Sequence, residues 1–191
     1  MGSLSSFTAP QLAAEVIKNA LVKAGISPAE VDEVILGNVL SANLGQAPAR
    51  QAARAAGIPD EADATTINKI CSSGLKSVSY AVQSIWLGDS DVVVAGGMES
   101  MSNAPYYLEQ HRSGSKTGHQ QLVDGMIKDG LWDPYHDFHM GSAAELANTH
   151  YGISREEQDA YTLKSFAKAK QAHHSGSFKD EITPISIQTK K

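Results

Sequence analysis

Apolar residues recur at helical spacing from the start of the chain. Leu12, Val16, Ile17, Ala20 and Leu21 form one face, opened by the capping-box pattern Thr8-Ala9-Pro10-Gln11 and ended by Gly25. Ser27-Pro28-Ala29-Glu30 repeats the start signal for one short turn. Residues 33 to 40, Glu-Val-Ile-Leu-Gly-Asn-Val-Leu, then read as a buried strand, and the Ala-rich run from Pro48 to Ala56 as a helix closed by Gly57. The β-branched stretch Thr65-Thr66-Ile67 predicts another buried strand. From Ser72 the spacing turns helical again, with Leu75, Val78, Val82, Ile85 and Trp86 recurring until Gly88. Val92-Val93-Val94-Ala95 and the Gly96-Gly97 turn complete the alternation. Strand and helix at short spacing predict an α/β fold, with a mostly parallel sheet layered between helices.

The texture changes near residue 105. Residues 106 to 139 mix aromatics, Gly, Asp and His with little periodicity, apart from a weak amphipathic turn over Leu122 to Ile127. Ser154-Arg155-Glu156-Glu157 opens a long helix that runs to about His174 and stops at Gly176. Residues 181 to 187 predict one more strand, at an edge because Pro184 interrupts it. The reading is therefore two segments, 1–105 and 106–191, and no internal repeat.

Composition narrows the class without naming a chemistry. With 191 residues, 41% apolar and 19% charged, the chain has the balance of an ordinary globular protein. A net charge of -5 gives no electrostatic case for nucleic acid or an anionic membrane surface. No apolar run approaches the roughly 20 residues that span a bilayer. The opening residues have neither signal-peptide nor transit-peptide character.

One cysteine excludes an internal disulfide framework and suits a reducing compartment. That cysteine, Cys71, falls between the predicted strand and helix, so it sits at a helix N-terminus, where unpaired N–H groups favour thiolate. A lone cysteine is also commonly a small buried hydrophobe, and position alone leaves both readings open. Other signals are weaker. Ser73-Gly74-Leu75-Lys76 and Lys116-Thr117-Gly118 match two of the three elements of penicillin-binding enzymes, but no Ser-Asp-Asn element separates them. His136-x-x-His139 with Asp133 and Asp137 has too few ligands for a metal site, and reads as a polar loop. No dinucleotide or P-loop glycine pattern occurs.

The run Ile67-Asn68-Lys69-Ile70-Cys71-Ser72-Ser73-Gly74-Leu75-Lys76 resembles the nucleophile motif of thiolases. Three further stretches resemble the family in the same order: Gly37-Asn38-Val39-Leu40 with Gly45-Gln46-Ala47-Pro48-Ala49-Arg50, then Ala95-Gly96-Gly97-Met98-Glu99-Ser100-Met101-Ser102-Asn103, then His139-Met140-Gly141-Ser142. The lead-in Lys128-Asp129-Gly130-Leu131 resembles the biosynthetic, acetoacetyl-CoA-type members. The resemblance implies an acyltransferase fold, with residues 1–105 as an N-terminal α/β domain lacking its first strand and 106–191 as part of a loop domain that covers CoA and supports oligomerisation. It implies Cys71 as the acyl-accepting nucleophile, with its backbone N–H suited to an oxyanion hole. It implies His139 and Met140 as lining for the acyl and pantetheine pocket and Leu131 as a CoA neighbour; unaided by the resemblance, Met140 reads as core filling and His139 as a packing residue. Coenzyme A is then a substrate, and no metal, flavin or nicotinamide is implied.

The departures matter equally. Members of the family continue into a second α/β domain that carries an activating His in a Gly-His-Pro motif, an oxyanion-hole Asn and a second catalytic Cys, and none of these stands in the present sequence. Leu146 replaces a common Asn, and Phe166 replaces the Tyr of potassium-activated members, so no potassium site is expected. Two readings follow. One is an acetyl-CoA C-acetyltransferase working on short-chain acyl-CoA in lipid metabolism, as a homodimer or homotetramer. The other is a catalytically incomplete half acting only as a subunit-interaction piece. The cytoplasm is the expected compartment, with mitochondria and peroxisomes as alternatives.

Overall fold

The computed structural model describes residues 2–187. The chain forms two compact units. The first runs to Gly130 and takes in the stretch beginning at Ile185; the second is Leu131–Pro184. The contact boundary thus falls later in the chain than the change in sequence texture near residue 105.

In the first unit, helix α1 (Ala9–Ala24) starts at Thr8, whose N–H donates to Gln11 Oε1 at 2.9 Å, and it ends in the left-handed cap Gly25. Strand β1 (Glu33–Gly37) follows, then helix α2 (Pro48–Ala55), strand β2 (Asp63–Ile67), helix α3 (Ser73–Leu87) and strand β3 (Val93–Gly97). The three strands are parallel in the order β2-β1-β3, so β1 is central. Right-handed crossovers place α2 and α3 on opposite faces, because the chain steps one way across the sheet through α2 and back through α3.

Side-chain alternation agrees with that arrangement. Val34 and Leu36 of β1 belong to the main core with Ala13, Ala14, Ile17 and Leu21 of α1 and Ala49, Ala52 and Ala53 of α2. Glu33 and Gly37, on the other face of β1, meet α3: Ser84 Oγ donates to Glu33 Oε2 at 3.0 Å, and Gly37 abuts Ser73. The core therefore lies between the sheet and the α1–α2 pair.

Several expectations are corrected. The strand predicted to reach Leu40 stops at Gly37: Asn38 N–H still donates to Ile67 O of β2, but the Val39 and Leu40 N–H groups that follow leave the ladder and donate to Glu99. The Thr65-Thr66-Ile67 strand forms, but as an edge strand, and Thr65 is exposed. On α1 the buried side is Ala13, Ala14, Ile17 and Leu21; Val16 and Ala20 of the predicted face stay exposed. Residues 182 to 187 have no regular structure; Pro184 lacks an N–H, and no strand lies against them among the described residues.

The rest of the first unit includes the short antiparallel pair β4 (Tyr106–Tyr107) and β5 (Val123–Asp124). Tyr107 donates a short hydrogen bond to the Asp129 carboxylate, and that bond is the main reason its hydroxyl is pushed up to about 12. A single π-helical turn, Ile127–Leu131, occupies the stretch where a weak amphipathic turn was expected to end.

The second unit holds the two-residue ladder of β6 (Trp132–Asp133) with β7 (Phe138–His139), helix α4 (Met140–Tyr151) and helix α5 (Arg155–His174). The α5 start follows the predicted box: Glu157 N–H donates to Ser154 Oγ at 3.2 Å, and Ser154 N–H to Glu157 Oε2 at 2.8 Å. That bonding holds the Glu157 carboxyl below its ordinary range. Helix α4 was not anticipated, since its apolar spacing is too weak to announce it. No helix among the described residues is long and apolar enough to cross a membrane.

Candidate active site

The turn between β2 and α3 is built by its own hydrogen bonds. Asn68 Oδ1 accepts from Ile70 N–H at 2.8 Å, an Asx-type turn. Ser73 closes the other side: its Oγ accepts from Lys69 N–H at 2.7 Å and donates to Ile70 O at 2.6 Å, and its N–H donates to Ile70 O at 3.0 Å. Together these hold Ile70 at φ +48°, left-handed backbone that a β-branched residue rarely adopts. Such strain costs on the order of 1–3 kcal/mol and persists only where the surroundings over-determine it. Its result is to set Cys71 outward, exposed, directly ahead of Ser72 and the first turn of α3.

Cys71 opens into a cleft of about 280 Å³ walled by Val39, Ile70, Ser73, Met98 and Glu99, with Gly37, Gly74 and Gly97 at its base. Those glycines let α3 approach the sheet ends. A Cβ on Gly37 would lie 2.6 Å from both the backbone carbon and the Cβ of Ser73, which no side chain can accept. A Cβ on Gly97 would sit 3.3 Å from Gly74 Cα, whereas one on Gly74 would find its nearest atom at 3.6 Å, an ordinary contact. Gly37 therefore governs the close approach of α3 to the sheet. Ser77, fully buried, reinforces it, with Oγ 2.6 Å from Gly74 O and 2.7 Å from Gly96 O.

The cleft's other wall is held by a carboxylate. Glu99 accepts from Val39 N–H, Leu40 N–H and Asn38 Nδ2, at 2.9, 2.9 and 2.7 Å. Asn38 is 2% exposed, and its Nδ2 also donates to Met98 O at 3.2 Å. Among the described residues its Oδ1 has no partner, a state that costs about 1–3 kcal/mol for a buried polar atom.

The remaining sequence candidates belong to the second unit, and the β6–β7 register gathers them. Trp132 pairs with His139, so the flanking Leu131 and Met140 stand at the same open end of the ladder. Leu131 is half-buried and Met140 is 42% exposed. His139 is the N-cap of α4: its Nδ1 accepts from Gly141 N–H at 2.9 Å. Accepting there requires Nδ1 to be unprotonated, so a neutral ring carries its proton on Nε2. Gly141 leaves room for this, since a Cβ there would press on Nδ1 at 3.3 Å.

The competing motifs do not assemble. Ser73 is buried and bonded to its own turn, while Lys76 lies over the Tyr80 ring, 4.0 Å from its centroid. His136 turns to Asp133 at 2.7 Å, and His139 to Gly141. The Asp133 carboxyl is held below its ordinary range, first by Tyr135 N–H and then by His136. Among the described residues no cluster of three His, Cys, Asp or Glu is arranged to hold a metal ion. Sequence reasoning quoted Gly37, Asn38 and Glu99 as motif residues but gave them no role. A glycine ending a buried strand, followed by a buried polar residue, was the signal available.

Comparison with known proteins adds an independent line. The sequence profile of the thiolase N-terminal domain matches residues 1–191. Acetyl-CoA acetyltransferase 2 of Arabidopsis thaliana is 57% identical over 187 residues, covering 98% of this chain and 46% of that protein. The acetyl-CoA acetyltransferase of Pseudomonas aeruginosa is 51% identical over 190 residues, covering 100% and 48%. Among solved structures, the Acat5 thiolase of Ascaris suum in complex with coenzyme A superposes with a TM-score of 0.94 at 41% identity, over 97% of this chain and 48% of that one. The chain spans about half the length of the curated relatives it matches.

Proposed function

The chain belongs to the thiolase family, and from that premise we propose that it supplies the acyl-carrying half of an acetyl-CoA C-acetyltransferase. The carrying observation is the turn that presents Cys71: a strained Ile70, a Ser73 clamp and a helix start bring one thiol to the surface of a defined cleft. The Cys71 sulfur attacks the thioester carbonyl of acetyl-CoA, the carbonyl oxygen takes up negative charge, and collapse of that adduct expels the CoA thiolate. The acetyl group is then held as a thioester on Cys71. A second acetyl-CoA loses a methyl proton, which ends on the CoA thiolate released in the first half; its carbanion attacks that thioester, forms the carbon–carbon bond and returns the Cys71 thiolate. Thiolytic cleavage is the same path reversed.

In this reading Leu131, His139 and Met140 line the approach of the pantetheine arm, with His139 Nε2–H as donor to an amide carbonyl. Residues 1–105 act as the N-terminal α/β domain and 106–191 as part of the loop domain. The reaction uses coenzyme A as substrate and calls on no metal, flavin or nicotinamide. A homodimer or homotetramer, a place in lipid metabolism and a cytoplasmic setting complete the proposal. A cytosolic acetyl-CoA acetyltransferase of Gibberella zeae, 53% identical, supports the last of these.

The test is acetyl transfer to the chain itself. Incubation with acetyl-CoA followed by peptide mass spectrometry is expected to find acetyl on Cys71 and none on Cys71→Ala. A second reading is a catalytically incomplete half that serves subunit interaction. Absence of any Cys71 adduct, with the chain still pairing with a thiolase-type partner in solution, would select it.

A further inference from the structure

Glu99 is bound by more groups than any other side chain near Cys71, and none of them belongs to a helix cap or a surface ion pair. Its Oε1 takes Asn38 Nδ2 at 2.7 Å and Leu40 N–H at 2.9 Å; its Oε2 takes Val39 N–H at 2.9 Å. Three donors converging on two oxygens fit a carboxylate, which accepts only, and fit an amide poorly. The Asn38 amide has one possible orientation. Flipping it would turn its oxygen onto Met98 O and Glu99, both acceptors, so Oδ1 is left without a partner to keep both N–H bonds. The segment held in this way, Asn38 to Leu40, follows directly on the end of β1, and Val39 from it lines the cleft with Cys71.

We propose that Glu99 is a positioning residue: by holding Asn38, Val39 and Leu40 it sets the width of the Cys71 cleft, and with it the size of acyl group the thiol accepts. This rests on the reading that Cys71 takes an acyl group, but the consequence is visible in simple thiol chemistry. Glu99→Gln keeps the side-chain length and replaces one accepting oxygen with a donor that faces an N–H. The wall carrying Val39 then relaxes, and discrimination between small and bulky electrophiles falls.

The measurement is the rate of Cys71 alkylation by iodoacetamide and by N-ethylmaleimide on the full chain, well below the unfolding midpoint. Glu99→Gln is expected to shift the ratio of the two rates toward the bulkier reagent by about tenfold, within what an ångström-scale displacement can do. Leu21→Ala, in the core and not among the residues that line the cleft, is expected to lower the midpoint and leave the ratio unchanged. An unchanged ratio in Glu99→Gln, or an equal shift in Leu21→Ala, overturns the proposal. If Glu99→Gln does not fold, Asn38→Ala decides, since it removes one donor and leaves the carboxylate its two backbone partners. It should give a smaller shift in the same direction, and no shift counts against the proposal. Failure of wild-type Cys71 to accept acetyl from acetyl-CoA, with the alkylation ratio still dependent on Glu99, would sink the acyl-transfer reading and spare this one.

Discussion

The two faces of the three-stranded sheet are covered by helices that bury opposite kinds of residue. On one face α1 and α2 close a core with Ile17 and Leu21 and with a series of alanines, all below a tenth exposed. On the other, α3 turns Ser73, Ser77 and Ala81 inward, while Leu75 and Trp86 are 73% and 82% exposed. The first face is fixed by apolar volume. The second is fixed by backbone proximity: Gly37, Gly74 and Gly97 in contact, and Ser77 Oγ shared between Gly74 O and Gly96 O. Apolar spacing locates a helix on either face, but it captures the buried side only in part on α1, through Ile17 and Leu21, and on α3 it picks out residues that stay exposed.

Four substitutions would break or sharpen that contrast. The largest effect is expected for Ile17→Ala, which empties the volume-filled side: about 3 kcal/mol of stability lost, read from the urea midpoint. Gly37→Ala tests the opposite face, since its new Cβ meets Ser73 at 2.6 Å. A loss of about 2 kcal/mol is expected there, together with a changed Cys71 alkylation rate; a variant as stable as wild type would mean that α3 does not sit this close. Ser77→Ala removes a buried hydroxyl from two carbonyls, and calorimetry should record a loss of about 1 kcal/mol. Smallest is Trp86→Ala in the 191-residue chain, where a change within about 0.5 kcal/mol is expected for so exposed a side chain. A loss of several times that size would show that the outward face of α3 is covered in solution.

The α/β alternation was legible because each element carries its own punctuation: Thr8 and Gln11 start α1, Ser154 and Glu157 start α5, and Gly25 and Gly88 supply left-handed caps. The strand-then-helix placement of Cys71 was legible for the same reason. What escaped was long-range. That Glu99 would collect N–H groups some sixty residues earlier in the chain, or that Gly37 would be the close-contact glycine, depends on which strand neighbours which. Nothing local encodes the order β2-β1-β3. Helix α4 escaped for a different reason: its sequence, with Leu146 58% exposed and no buried residue, has no apolar stripe to read.

The contact of Gly37, Gly74 and Gly97 beneath Cys71 has a dynamic consequence. Glycine has no rotamers, so none of these three residues can hop between side-chain wells on the picosecond-to-nanosecond scale of ordinary rotamer exchange. The turn that carries the thiol is registered against the sheet through main-chain atoms and the buried Ser77 hydroxyl. Its placement then has the stiffness of peptide geometry rather than of packed side chains, and a reactive sulfur mounted on it returns to the same point after each excursion.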